Sequence, residues 1–308
     1  MPLPPDTRPP APLPPDLLPL SAYPDVKSAA AEAVRRFTTP PPITRRITDP
    51  EKRVAMPKSM PAGGVHHDLL GSEGRIAYWS WGDPACPLVV CLHGWGGRGT
   101  QWAALVTVLL DAHYRVVIFD APAHGSSDGD RASMPAFRNA LLRVLDAVGT
   151  PHALVGHSLG GLATLAAIAS RANAGVSPLP RAISIGAPSN IDRPMARFLR
   201  RHQGNNEVAR EMITQLEARW HFRWRDLDTA TLSAQAARRG GAPLLVIHAA
   251  DDEQVPVIES EGLTTDWHGA ERWLAPDGTG HLRILIHPDV IARILAFISA
   301  PDEISDGT

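Results

Sequence analysis

Short apolar runs that fail to alternate with polar residues constrain this chain more than any other feature. Pro87-Leu88-Val89-Val90-Cys91-Leu92 and Tyr114-Arg115-Val116-Val117-Ile118-Phe119 carry no polar face, so each suits a strand buried on both sides of a parallel sheet. Helical patterns follow them, at Thr100 to Leu110 and at Met134 to Val148. The same rhythm continues with a strand at His152 to Val155, a helix from Leu159 to Arg171, and strands at Ala182 to Ile185, Pro243 to Ile247 and Glu271 to Leu274. A final helix runs from about Pro288 to Ser299. Strand and helix alternating in this way specify an α/β layered fold with a mostly parallel sheet flanked by helices. Ahead of it, His66 to Leu70 and Arg75 to Trp81, separated by Gly71-Ser72-Glu73-Gly74, read as a hairpin at one sheet edge.

One junction in that rhythm carries chemistry. In Val155-Gly156-His157-Ser158-Leu159-Gly160-Gly161 a buried strand turns into a helix within a few residues. Such a turn strains the serine backbone and leaves no room for Cβ atoms two residues to either side, where Gly156 and Gly160 stand. A serine so placed is a candidate nucleophile. A serine hydroxyl is weak at neutral pH, so it needs a histidine to take its proton and a carboxylate to orient that histidine. Both must sit at the C-terminal edge of the sheet, where loops converge. Two later strands end in such residues: Pro243 to Ile247 runs into Asp251-Asp252-Glu253-Gln254-Val255-Pro256, and Glu271 to Leu274 runs into Gly278-Thr279-Gly280-His281.

The order Ser158, Asp252, His281 resembles the α/β-hydrolase fold, whose triad runs Ser, Asp or Glu, His along the chain. The resemblance covers about Val65 to Ser299. Leu92-His93-Gly94-Trp95-Gly96-Gly97 is similar to the family's His-Gly oxyanion loop, and Asp120-Ala121-Pro122-Ala123-His124-Gly125-Ser126-Ser127 is similar to its Asp-x-Pro-Gly-x-Gly-x-Ser loop, with Ala123 in place of a glycine. The resemblance implies a serine esterase that works through an acyl-enzyme on Ser158, with His281 as base and Asp252 as acid. It also implies an oxyanion hole from the N–H groups of Leu159 and Trp95. Asp251 and, after an earlier strand, Asp192 are the competing acids. His93, His124, His157 and His248 are expected at structural positions, as hydrogen-bonded side chains. The same machinery would serve a thioesterase, amidase or peptidase, carbon-carbon hydrolase or acyltransferase. From another class, the chain could be a non-catalytic ligand-binding or scaffold protein with a hydrolase fold.

Two segments stand apart. Residues 1–61 hold 16 of the 30 prolines and read as an extended N-terminal arm. Within it, Val26, Ala29, Ala30, Ala33, Val34 and Phe37 recur at helical spacing, which predicts a short helix docked on the hydrolase domain at 62–305. Between Ser189 and Gly240 the strand rhythm stops and ten arginines stand against six acids, which reads as a helical cap insertion at about 189–240. Its aromatics Trp220, Phe222 and Trp224 alternate as on a strand face and are expected in the cap's own core, with a substrate pocket as the rival reading.

Composition narrows the partners. A formal charge of −2, from 30 basic and 32 acidic residues, offers no basic patch for nucleic acid or an anionic membrane, and points to a small-molecule acyl substrate. No apolar run reaches the length that spans a bilayer, so no stable membrane insertion is expected. The two cysteines, Cys86 and Cys91, suggest reduced thiols and a cytoplasmic protein. His66-His67 lacks a second ligand cluster, so neither a metal nor another cofactor is expected. Nothing here sets an oligomeric state.

Overall fold

The computed structural model describes residues 13, 17–41, 60–71 and 74–301. Most of the proline-rich arm and the tip of the first hairpin therefore lie outside the described residues. The elements, in chain order, are α1 (Val26–Phe37), β1 (Val65–Leu69), β2 (Ile76–Trp81), β3 (Leu88–Leu92), α2 (Ala103–Asp111), β4 (Arg115–Phe119), α3 (Met134–Val148), β5 (Ala153–His157) and α4 (Leu159–Asn173). They continue with β6 (Arg181–Ile185), α5 (Asp192–Arg201), α6 (Asn206–Trp220), α7 (Thr229–Ala237), β7 (Leu244–Ala249), α8 (Ile258–Asp266), β8 (Ala270–Ala275), α9 (Gly280–Arg283) and α10 (Pro288–Ser299).

The strands form one sheet in the order β1-β2-β4-β3-β5-β6-β7-β8. β1 and β2 are antiparallel, β2 runs antiparallel to β4, and every pair from β4 to β8 is parallel. β5 lies inside the sheet, between β3 and β6. All five residues of β3, β5 and β6 are buried, as non-alternating runs require.

Buried side chains sort by strand face. Leu88, Val90 and Leu92 of β3 point toward the core under α3, α4 and α7, whereas Val89 and Cys91 join the core under α2 and α10. Covering both faces satisfies a parallel sheet, which cannot leave a face to solvent. Helix starts follow local chemistry: Ser133 caps α3 through the Ala136 N–H at 3.2 Å, and Pro288 opens α10 at a position where its missing N–H costs nothing.

The segment after β6 divides in two. α7 packs against α4 and α8 and lies in the helix layer, which makes it the crossover helix between β6 and β7. α5 and α6 instead pack with α1 in a third apolar cluster, apart from both faces of the sheet. The aromatics of this stretch do not form a strand face. Trp220 ends α6, His221 turns left-handed at φ 51°, and Trp224 begins a 3-10 turn over Trp224–Leu227.

Candidate active site

Ser158 stands where β5 passes into α4, at φ 53° and ψ −124°. This is a costly backbone for a residue with a Cβ, and the surroundings impose it. Its N–H donates to the Ile185 carbonyl of β6 at 2.8 Å, and the glycines around it leave no slack. A Cβ on Gly156 would lie 2.4 Å from the Gly160 oxygen, and one on Gly160 would lie 2.3 Å from the His93 oxygen. The serine is thus held out at the sheet edge, at the first turn of α4. The Leu159 N–H opens that helix, where the helix itself supplies no acceptor and its dipole is positive.

The loop after β3 passes against the serine, since a Cβ on Gly94 would come within 2.7 Å of the Ser158 Cβ. Two buried histidines hold this loop from behind. His93 Nδ1–H donates to the Gly94 carbonyl at 2.7 Å while its Nε2 accepts from the Ala121 N–H at 2.9 Å. His124 Nδ1–H donates to the Pro122 carbonyl at 2.9 Å while its Nε2 accepts from the Gly96 N–H at 3.1 Å. Each bond set requires the neutral ring. Burial lowers His93 to about 4 and His124 to about 3, which keeps them neutral. Trp95 therefore lies between two anchored neighbours. Asp120 anchors the same region through the N–H groups of Gly99 and Ser126, both at 2.7 Å. Ala123, where the resembling loop has glycine, takes φ 64° and donates its N–H to the Asp128 carbonyl at 2.8 Å.

Asp252 and His281 meet. His281 Nδ1–H donates to Asp252 Oδ2 at 2.7 Å, with both side chains buried. The other carboxylate oxygen, Oδ1, accepts from the N–H groups of Gln254 and Val255, each at 2.8 Å. Burial alone would raise this carboxyl, but the His281 bond and charge and the two N–H donors outweigh it, and Asp252 lies below its ordinary value. An ionised Asp252 fixes the His281 tautomer and leaves Nε2 as a proton acceptor. Neither rival acid takes this place. Asp251 accepts from the Gly280 N–H at 3.0 Å, and Asp192 accepts from Trp224 Nε1 at 2.6 Å.

His157 and His248 surround the pair. His157 Nε2–H donates to the His281 carbonyl at 2.9 Å, and burial lowers it to about 3. His248 Nε2–H donates to the Val255 carbonyl at 3.0 Å and lies 3.6 Å from Asp252 Oδ2. Each is satisfied at one nitrogen only; Nδ1 of both is buried without a hydrogen-bond partner. Sequence order hides the His157 contact, because it joins a residue beside the serine to a carbonyl 124 residues later.

Ser158, Leu159, Trp95 and His281 line one cavity of about 340 Å³. Its other walls are largely apolar: Phe222 and Trp224 face it, and so do Phe198 of α5 and, unexpectedly, Phe37 of α1. Trp220 packs instead into the cluster shared by α1, α5 and α6. Of the three aromatics expected in a cap core, two also border the cavity. One charged pair adjoins them, Arg193 with the buried Glu259 at 2.9 Å, and Glu259 Oε2 accepts from the Ser189 hydroxyl at 2.6 Å. Among the described residues no group of three His, Cys, Asp or Glu side chains could hold a metal, and no helix is long and apolar enough to cross a membrane. Cys86 and the buried Cys91 are both free thiols.

Comparison with known proteins bears on this geometry. A family model described as alpha/beta hydrolase family matches residues 89–294. A non-heme chloroperoxidase of Streptomyces lividans is 25% identical over 274 residues, 74% of this chain and 98% of that protein. Other relatives match over part of their length. The chain spans 45% of a pimeloyl-[acyl-carrier protein] methyl ester esterase of Xanthomonas campestris pv. campestris (strain B100), with 36% identity over 132 residues, 42% of this chain. It spans 46% of the magnesium-chelatase 30 kDa subunit of Rhodobacter capsulatus, with 28% identity over 139 residues, again 42% of this chain. A solved hydrolase from Pseudomonas aeruginosa PA01 superposes with a TM-score of 0.56 at 21% identity, covering 78% of this chain and 100% of that one. A thioesterase domain from the curacin biosynthetic pathway gives 0.55 at 19% identity, covering 77% and 100%.

Proposed function

Since the chain belongs to the alpha/beta hydrolase family, we propose that it is a serine hydrolase cleaving carboxylic esters, with Ser158 as nucleophile, His281 as base and Asp252 as the acid that orients it. One observation carries the reading: the 2.7 Å bond from His281 Nδ1 to Asp252 Oδ2 leaves Nε2 as base in the cavity that Ser158 also lines. Ser158 Oγ attacks the ester carbonyl as His281 Nε2 takes its proton. The carbonyl oxygen becomes an oxyanion and accepts hydrogen bonds from the N–H groups of Leu159 and Trp95. Collapse breaks the bond to the alkoxy oxygen, which leaves as the alcohol with the proton from His281. Water, deprotonated by the same nitrogen, then attacks the acyl-enzyme and releases the acid and free Ser158.

In this reading α5, α6 and the Trp224–Leu227 turn act as the cap over the site. An apolar cavity suits an acyl chain, and one partial relative is named for cleavage of a methyl ester. The test is turnover of p-nitrophenyl butyrate by the wild type and by Ser158→Ala, beside labelling with a fluorophosphonate probe. Turnover and label should both vanish in the variant while the fold persists. Activity retained by Ser158→Ala, or a label carried by another residue, would sink the assignment.

A further inference from the structure

α1 ends ahead of residue 89, where the family match begins, yet Arg36 and Phe37 of this helix line the same cavity as Ser158 and His281. The helix is firmly seated. Ala29, Ala30 and Ala33 are buried in one apolar cluster with Met195 and Leu199 of α5 and Met212 and Leu216 of α6. Small residues on this face let the backbones of α1 and α6 approach closely. Asp25 caps the helix by accepting from the Ser28 N–H at 2.8 Å. The Arg36 guanidinium is taken up by Glu32 at 2.6 Å, the Leu18 carbonyl at 2.8 Å and the Tyr23 hydroxyl at 3.2 Å.

The far end of α1 is attached to a different part of the molecule. The carbonyl of buried Thr38 accepts from the Ala132 N–H at 2.8 Å, immediately before Ser133, Met134 and Pro135, which also border the cavity. α1 thus joins α5 and α6 to the segment that opens α3. At the junction the Phe37 ring meets Phe198 edge to face, with centroids 5.2 Å apart, and both rings line the cavity.

We propose that α1 is a specificity-determining wall of the site, in which Phe37, backed by Phe198, limits the length of acyl chain that the cavity accepts. This deepens the esterase reading and rests on it. A helix that served only to hold α5 and α6 in place would affect all substrates alike, because nothing in that role depends on the acyl chain. A wall discriminates. Truncating Phe37 enlarges the space available to a chain that reaches it, while a chain too short to touch it gains nothing.

The experiment compares kcat/KM for p-nitrophenyl acetate, hexanoate, decanoate and dodecanoate in the wild type, Phe37→Ala, Phe37→Leu and Phe37→Trp. In Phe37→Ala the ratio of dodecanoate to hexanoate should rise about tenfold, the low end of what one methylene is worth in an apolar pocket. Phe37→Leu, which keeps an apolar side chain on α1 should Ala impair folding, should move the ratio the same way by less, and Phe37→Trp should lower it. Equal changes for every ester, in whichever of these variants folds, would overturn the proposal. A second arm separates this result from failure of the esterase reading. Binding of hexanoate and dodecanoate to Ser158→Ala, followed by tryptophan fluorescence, needs no turnover. The dodecanoate preference should increase on adding Phe37→Ala or Phe37→Leu. No saturable binding of either acid, or an unchanged preference, would overturn the wall whatever the wild type hydrolyses.

Discussion

On the polar side of the cavity, Asp252, His281 and His157 are linked by hydrogen bonds of 2.7 and 2.9 Å, and His93 and His124 fix the Gly94-Trp95-Gly96 loop with bonds of 2.7 to 3.1 Å. On the aromatic side, Phe37 meets Phe198 at a centroid distance of 5.2 Å, and Phe222 meets Trp224 at 6.3 Å. The first region depends on direction: each donor has one acceptor, and a displaced atom breaks the bond. The second depends on volume, so its side chains can be exchanged for others of similar size at modest cost. The polar side should therefore answer to single-atom substitutions with lost turnover, and the aromatic side with altered selectivity.

The largest break falls on Asp252. Asp252→Asn keeps the shape but removes the charged acceptor of the His281 Nδ1–H bond. Turnover of p-nitrophenyl butyrate should fall roughly 10³- to 10⁴-fold with little change in KM. A loss below tenfold would mean that this carboxylate does not direct the base.

The same contrast explains what could be read from the sequence. The placement of the polar side was legible because its residue types stand at strand ends: Gly156 and Gly160 around Ser158, Asp252 after one strand, His281 after the next. The sheet was legible for a similar reason, since runs such as Val89-Val90-Cys91 suit only a strand covered on both faces. Three things were not. The helix α8 joins β7 to β8, but its sequence, Ile258–Asp266, has no pronounced apolar stripe. The alternation of Trp220, Phe222 and Trp224 imitated a strand because a left-handed His221 and a 3-10 turn happen to bring aromatics to every second position. Phe37 was visible as part of a docking face, but a helical period does not say which cavity the end of that face will border.

A smaller break tests the close approach beneath the serine. A Cβ on Gly160 would lie 2.3 Å from the His93 oxygen and 2.6 Å from the Leu92 oxygen, both backbone atoms that cannot rotate away. Gly160→Ala should cost about 1 to 3 kcal/mol in urea unfolding, as overpacking does. It should also lower kcat by roughly 10²-fold, because the displaced loop carries Trp95. Gly241→Ala provides the contrast, since a Cβ there meets nothing within 4 Å and its cost comes only from φ 77°. Loss of stability without loss of turnover would detach the loop from the chemistry.

Acid should weaken the polar side, and with it the aromatic side, where His202 meets the Phe198 ring and burial lowers it to about 4. Burial holds His93 at about 4, and His124 and His157 at about 3. An unfolded histidine titrates near 6.5, so between about pH 6.5 and 4 the unfolded chain binds protons that the folded chain refuses. Stability is therefore complete above this window and falls as pH drops through it, by on the order of 1 kcal/mol per pH unit for each histidine. Asp252 adds little there, because a lowered carboxyl loses its contribution only at more acidic pH, as its folded value is passed. Urea midpoints at about pH 7.5, 6 and 5 should decline, and His124→Gln should flatten the decline by one histidine's share. An identical slope would show that His124 accepts a proton in place, and that the Gly96 bond, which a protonated ring cannot accept, is unimportant to stability.

The smallest effect is expected one residue from the largest. Asp251 is exposed, and its Oδ1 accepts from the Gly280 N–H at 3.0 Å, at the start of α9 and one residue before His281. Asn keeps that oxygen and loses only a solvated charge, which contributes little at the surface. Asp251→Asn should stay within about twofold of wild-type kcat/KM, and Asp251→Ala, which removes the acceptor, should fall a few fold through a looser start of α9. Adjacent residues thus separate the two kinds of carboxylate, one that must be charged and one that need only accept a hydrogen bond. A reversal, with Asp251→Asn crippled and Asp252→Asn active, would move the acid of the site to Asp251 and require the 2.7 Å contact of Asp252 with His281 to serve structure alone.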